Sequence, residues 1–280
     1  MIGPLRIGRT QIRWLSGGIF ELDGGAMFGV VPKVLWSRKY ASEDNYIRLL
    51  ASPLLVETPE ALVVVETGIG NKLSDKQKSI FRVVEEWALP ESLASFGFNP
   101  SDVTHVILTH CDFDHAGGVV MNDGNGDACL TFPEAQHFVQ EMEWQDASRP
   151  NRRSAHTYWA QNFEGLVPGN NLVLVNGEYE VCPGVRVSRT GGHTRGHQVV
   201  HVESEGQSAV HMADLLPTHI HFNPLWLMAY DNFPLEAMEQ KEMIEKNGIE
   251  RRSWFTFYHD PILRACRYDV EGHVTERYPG

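Results

Sequence analysis

Val-Ile-Leu-Thr-His-Cys-Asp-Phe-Asp-His-Ala-Gly-Gly, residues 106–118, is the stretch around which the chain is organised. Its apolar opening, Val106 to Leu108, predicts a buried strand that delivers its C-terminal end into a turn. At that end stand His110, Asp112, Asp114 and His115, four potential metal ligands within six residues. Two carboxylates and two imidazoles behind a buried strand are costly to desolvate unless a cation accompanies them. Gly117 and Gly118 follow, as expected where backbone passes close to a site before a helix. The segment therefore points to a metal centre rather than to surface decoration.

This segment resembles the His-x-His-x-Asp-His signature of the metallo-β-lactamase fold superfamily, with Asp112 where a second His is usual. The related flavodiiron proteins carry a Glu at that point, so a carboxylate has precedent there. Further along, Thr190-Gly-Gly-His193-Thr-Arg-Gly-His197 is similar to the superfamily's Gly-His-Thr-x-Gly-His element. The first His of that element is a ligand, and the second packs below the site. Asp214 closes an apolar run and matches the bridging carboxylate, while His259 closes Trp254-Phe-Thr-Phe-Tyr and matches the last ligand. Upstream, Leu62-Val-Val-Val-Glu-Thr-Gly68 resembles the early strand that ends in Asp-Thr-Gly. In the family its acid, here Glu66, supports the metal loop from behind.

The likeness runs in order across residues 110–259. It implies a four-layer αββα sandwich of two mixed sheets, an α/β fold, with the whole of 1–280 as one domain. It also implies an allocation of ligands. His110, Asp112 and His193 hold one divalent ion, Asp114, His115 and His259 hold a second, and Asp214 bridges them. A bridging hydroxide would attack an ester, lactone or phosphotriester, with Asp114 and Asp214 taking the catalytic roles. Zinc is the family's usual metal, and the carboxylate of Asp112 makes iron or manganese reasonable.

Working outward, residues 47–56 and 61–67 are two β-rich runs joined by the hairpin signal Glu57-Thr58-Pro59-Glu60. Residues 71–97 have a helical pattern, with Ile80, Phe81, Val83, Val84 and Trp87 on an apolar face. The piece Gly25 to Trp36 is apolar yet interrupted by Gly29 and Pro32, which predicts a loop showing Met27, Phe28 and Trp36 to a substrate or to a second subunit in a homodimer; on chain pattern alone a loop packed on the core fits equally well. Residues 141–163 read as a helical or irregular surface excursion, with His137 and His156 as ordinary core or surface residues. Strand patterns resume at 171–175, 177–181 and 185–189, separated by Asn176-Gly177 and Pro183-Gly184.

Beyond Asp214 the chain reads Leu-Leu-Pro217-Thr-His219-Ile-His221-Phe-Asn-Pro-Leu-Trp226-Leu-Met228-Ala-Tyr230. With Gly29 to Trp36, this run resembles the branch of quorum-quenching lactonases and methyl parathion hydrolase, most of all the YtnP-like lactonases. Phe28, Trp36, His219, Trp226, Met228 and Tyr230 are accordingly the expected substrate contacts, suited to an apolar acyl chain or aryl group. On residue pattern alone Trp226 and Met228 serve equally well as core filling. Other chemistries on the same fold are diiron or mononuclear iron redox reactions and thioester hydrolysis of the glyoxalase II type. Only 21 residues follow His259, too few for a flavodoxin-like partner domain.

The 280 residues, 42% of them apolar, are enough for a full core. A formal net charge of −12 argues against nucleic acid or an anionic membrane as the main partner. Met1 to Phe20 contains Arg6, Arg9 and Arg13 and no continuous apolar run, so no signal peptide is expected. Cys111, Cys129, Cys182 and Cys266 form no CxxC pair, which favours a reduced, cytoplasmic protein; the resemblance implies a small lactone or ester as its substrate.

Overall fold

A computed structural model of the chain describes residues 3–279. Two seven-stranded sheets dominate it. In the first, Leu62–Val65 pairs antiparallel with Leu54–Glu57 and parallel with His105–Ile107, which in turn lies parallel to Gln136–Gln140. The second runs from Glu178–Cys182 to Val274–Tyr278 in chain order, and its only parallel pair among the described residues is Gln207–His211 with Trp254–Thr256.

Alternation along each strand decides which layer each side chain joins. Val63 and Val65 enter the core between the sheets with Val185, Val187, Val200 and Ala209. Their neighbours Leu62 and Val64 turn the other way, onto a core shared with Leu89, Leu93 and Phe132. In the second sheet Val199 and Val210 leave the shared core and pack with Ala237 and Ile244 of the helix Pro234–Glu250. Apolar residues on both faces of both sheets are what the expected helix–sheet–sheet–helix layering requires.

Three parts of the chain depart from the sequence reading. Residues 71–97 do not form one helix but two, Asp75–Ile80 and Leu89–Ser95. Pro90 can sit only in the first turn of a helix, and Arg82 takes φ +46°, so the chain breaks between them. Glu85 bonds Ile19 across that break, leaving Ile80 and Val84 largely exposed rather than on an apolar face. The run 47–56 is also two strands: Tyr46–Leu50 pairs with Ile19–Asp23, and Leu54–Glu57 belongs to the main sheet. Finally, Gly25 to Trp36 is not an exposed loop. Gly24–Phe28 and Lys33–Trp36 are short helices, and Met27, Phe28 and Trp36 are each no more than 2% exposed. Phe28 is stacked between Trp36 and His221, with ring centroids 5.1 and 4.6 Å away.

The connections matter most where the strands end. Leu62–Val65, His105–Ile107, Gln207–His211 and Trp254–Thr256 are followed by Glu66, His110, Asp214 and His259 respectively. Rigid strands thus carry these side chains to one rim of the sandwich.

Candidate metal centre

His105–Ile107 ends in the turn that carries His110, and Asp112 then precedes the single helical turn Phe113–Ala116. That turn places Asp114 and His115 one after the other, both buried. Gly117 and Gly118 come after this helix, not before it as the sequence suggested. A Cβ at Gly117 would lie 2.3 Å from the Ile69 carbonyl oxygen, and one at Gly118 would lie 2.3 Å from that of Thr67. Only glycine lets the two backbones touch here. Two non-glycine residues beside the site, Glu66 and Ala213, hold left-handed φ values of +66° and +44°. Such strain is tolerated where the surroundings fix a side chain for use.

Seven donors meet at the rim. Nε2 of His115 and Nε2 of His259 are 3.2 Å apart, and each is 3.2 Å from Oδ1 of Asp214. Oδ2 of Asp114 lies 3.6 Å from His259 and 3.8 Å from His115. On the other side, Oδ2 of Asp112 is 3.4 Å from Nε2 of both His110 and His193. Nε2 of His193 is also 3.4 Å from Oδ2 of Asp214. The two oxygens of Asp214 therefore face different groups of donors.

These separations test whether metal ions fit. Ligands held tetrahedrally at 2.0–2.1 Å from a zinc-sized ion sit about 3.3 Å from one another. The observed spacing matches that value, whereas Nε2 of His110 and Oδ1 of Asp214 are buried and make no hydrogen bond. The far nitrogen of each imidazole has its own neighbour. Nδ1 of His110 meets Thr109 Oγ1 at 3.0 Å, that of His193 meets Asp231 at 2.9 Å, and that of His259 meets the Leu50 carbonyl at 2.8 Å. His115 instead has the Glu66 carboxylate 3.3 Å from Nδ1, a charge contact without hydrogen-bond alignment. With the Nδ1 side engaged, all four rings present Nε2 to the centre, the usual arrangement of metal-binding histidines. Two clusters, Asp114 with His115 and His259, and His110 with His193 and Asp214, can each hold a divalent cation.

The electrostatics agree. Burial, reinforced by neighbouring His115, pushes His110 down to about 3, so this ring is a neutral ligand. Burial also disfavours the cation of His115, yet Asp214, Asp114 and Glu66 hold its value well above that of a free imidazole. His193 is raised against burial by its bonds to Asp112 and Asp231. Burial raises Asp114, while Asp214 is held well below the ordinary carboxylate range by His115 and His259 in spite of burial. A buried group of carboxylates demands positive charge, which protons or metal ions can supply.

A cavity of about 370 Å³ opens onto this rim. Asp112, Asp114, His193, Asp214 and His259 lie in its floor, and Met27, Phe113 and Met228 supply apolar wall. Of the expected substrate contacts, Met228 and Tyr230 line it. Phe28 and Trp36 do not, because they are core. His219 and Trp226 face a different cavity. His221 is buried, bonded to Thr218 and to the Met27 carbonyl. Part of the surface excursion borders the cavity: Arg153 and His156 line it, and Arg153 bonds the Asn232 side chain and the Ala229 carbonyl at 2.7 Å each. His156, expected to be an ordinary core or surface residue, is exposed and borders this cavity.

Glu143, unremarked in the sequence, is fully buried and gathers the backbone N–H of Cys111, the Thr194 hydroxyl and the backbone N–H of Gly196 at 2.9, 2.6 and 3.2 Å. The Tyr158 hydroxyl donates to the same carboxylate. One side chain thereby ties both ligand loops to the cavity wall.

Comparison with known proteins agrees with this geometry. A solved structure of a probable metal-dependent hydrolase from Staphylococcus aureus is 39% identical, with a TM-score of 0.92 and 99% of each chain covered. AidC, a dizinc quorum-quenching lactonase solved with a product, N-hexanoyl-L-homoserine, shares 21% identity at a TM-score of 0.79, covering 99% of this chain and 96% of its own, a likeness of fold. An N-acyl homoserine lactonase from a Bacillus species is 32% identical over 160 residues, 56% of either chain. The chain thus spans little more than half the length of that curated relative. The family model for the metallo-beta-lactamase superfamily matches residues 48–252, which contain six of the seven converging donors in order; His259 lies just beyond it, and the chain belongs to that superfamily.

Proposed function

We propose that the protein is a dinuclear metal-dependent hydrolase that opens a lactone or cleaves a related carboxylic ester. In this reading His110, Asp112 and His193 hold one ion, Asp114, His115 and His259 the other, and Asp214 spans both. The observation that carries it is the division of Asp214, with Oδ1 3.2 Å from His115 and His259 and Oδ2 3.4 Å from His193. Divalent ions bound there supply Lewis acidity and make a water nucleophile available near neutral pH.

The protein's own groups do the rest. Tyr258 fixes the ligand turn by donating to the Asp114 carbonyl at 2.6 Å and stacking on His115, with ring centroids 4.3 Å apart. Asp114, at the cavity floor, is placed to exchange a proton with a leaving alkoxide. Met27, Phe113 and Met228 offer an apolar body a dry surface beside the reacting centre. An acyl-homoserine lactone combines a strained ester with an apolar chain, and the lactonase relative supports that class.

A hydrolysis panel on protein of known metal content tests the reading: acyl-homoserine lactones of several chain lengths, simple lactones, aryl esters, a paraoxon-type triester and a glutathione thioester. Lactone turnover is expected. Activity confined to the thioester, or oxygen consumption without hydrolysis, would overturn it.

The same reading takes residues 1–280 as one domain and the setting as cytoplasmic. All four cysteines are free, in keeping with a reducing compartment, and among the described residues no helix is long and apolar enough to cross a membrane. A homodimer is supported only by exposed Val30, Val34 and Leu35, and sedimentation of a Val34→Glu variant tests it.

A further inference from the structure

His219 and Trp226, which the metal cavity does not use, lie instead on a second cavity of about 940 Å³ that shares no lining residue with the first. It is bounded by the 219–226 segment, the C-terminal half of Pro234–Glu250 and the turn between Ala265–Tyr268 and Val274–Tyr278.

The His219 ring is fixed from behind. Its Nδ1 meets the buried Asp260 carboxylate, which also accepts the His219 backbone N–H at 2.8 Å. The other oxygen of Asp260 accepts the backbone N–H groups of Ile262 and Leu263 at 2.8 and 2.9 Å, and the Tyr268 hydroxyl donates to the His219 carbonyl at 3.2 Å. Because a carboxylate can only accept, Nδ1 carries the proton, and in the neutral ring Nε2 keeps its lone pair.

The second observation is Glu245. It lines the same cavity, is 5% exposed, and its buried Oε1 has no hydrogen-bond partner. Burial pushes the Glu245 carboxyl up to about 8 in spite of the Lys241 ammonium nearby, so a further cation reaching this wall favours its ionised form. Glu242, Glu250 and Glu271 add three exposed carboxylates, against the two amines of Lys39 and Lys246. Lys39 is already drawn to the Trp226 ring, 5.2 Å from its centroid. The remaining wall is mostly apolar and includes Phe222 and Tyr268, stacked at 3.8 Å. Such a surface offers acceptors to a donor-rich head and π faces to a cation and its hydrocarbon.

We propose that this cavity is a binding site for an organic amine, an ammonium group on an apolar body. The ammonium is held on the side of His219 and Glu245, and the body rests on Phe222, Tyr268 and Trp226. The site is separate from the hydrolytic centre, and its existence does not depend on which ester the enzyme cleaves.

Isothermal titration of the metal-loaded protein in an amine-free buffer tests this, with n-hexylamine as probe and n-hexanol and hexanoate as matched controls. Saturable 1:1 binding of hexylamine is expected, with neither control binding. His219→Gln and Glu245→Gln should each weaken it about tenfold or more, with metal content unchanged. Should either substitution prevent folding, the exposed pair Glu242→Gln/Glu271→Gln should still weaken binding several-fold. No saturable heat at millimolar hexylamine, equal binding of hexanoate, or unchanged affinity in all the variants that fold would overturn the proposal.

Discussion

His193 and Asp231 are joined at 2.9 Å through Nδ1 of the ring, and the second oxygen of the same carboxylate accepts the backbone N–H of Met228, also at 2.9 Å. One buried aspartate thus orients a proposed ligand and fixes a wall of the substrate cavity. Asp231→Ala should lower metal affinity by roughly ten- to a hundredfold and also change the preference among acyl chain lengths. Asp231→Asn, which can keep one of the two bonds, should do less of each. Metal titration and a chain-length series check this, and unaltered values for both would show that the contact is incidental.

Asp214→Ala removes the one carboxylate that faces both groups of donors. Turnover should be lost and bound metal should fall below two ions per chain, read by elemental analysis. Near-native activity with full metal content would exclude bridging. Asp114→Asn should act differently, keeping much of the metal and losing kcat above all, because Asp114 sits slightly farther from the histidines, at 3.6 and 3.8 Å, and faces the cavity.

The metal centre was legible in the sequence because His110, Asp214 and His259 each follow an apolar strand, and strand pattern survives translation into structure with little help from context. Glu66 was legible for the same reason. The segment from Gly25 to Trp36 was not. Its glycine and proline exclude a strand, but an apolar stretch with such breaks fits a buried pair of short helices as well as an exposed loop. What decides between them is the partner surface: Phe28 needs the face of His221, 193 residues further along the chain. Glu143 and Asp231 were hidden for a related reason. A carboxylate becomes a hub only when loops distant in sequence turn their N–H groups and rings toward it.

Substitutions at the aromatic candidates should therefore separate into two groups. Tyr230→Ala and Met228→Ala should alter the ratio of long-chain to short-chain lactone hydrolysis, since both side chains line the metal cavity. Trp226→Ala should leave that ratio unchanged. Trp36→Ala, at 1% exposure, should cost about 3–5 kcal/mol of stability in a denaturant titration. A selectivity change in Trp226→Ala would return that residue to the substrate path.

His137 gives a pH dependence away from the metals. It is fully buried, with Nδ1 3.2 Å from the Asn171 carbonyl, and burial pushes its value down to about 4. In the unfolded chain the ring titrates near 6.5. Between those values the unfolded state binds more protons, so the contribution of the neutral ring is full above about 6.5 and is lost as pH falls toward 4. The loss is on the order of 3 kcal/mol. Urea titrations at pH 7 and pH 4.5 should show a smaller acid loss for His137→Asn than for the parent protein. Equal losses would mean that the ring is already protonated in the fold.

Asp112 is where this chain leaves its superfamily's common pattern, and its Oδ2 lies 3.4 Å from both His110 and His193. Two divalent ions bring four positive charges, from which Asp112, Asp114 and Asp214 remove three. A histidine at 112 would leave only two carboxylates and a more positive centre. Oxygen donors favour iron or manganese relative to an all-imidazole set, although zinc still binds strongly in the affinity order. Asp112→His should therefore keep the fold, because the position is partly open to the cavity and its helical turn needs no side-chain cap from it. It should shift metal content toward zinc in cells supplied with both iron and zinc, and move the acidic limb of the pH–rate profile downward. Elemental analysis and the two pH profiles decide the matter. Identical metal ratios and superimposable profiles would place Asp112 outside the metal's coordination.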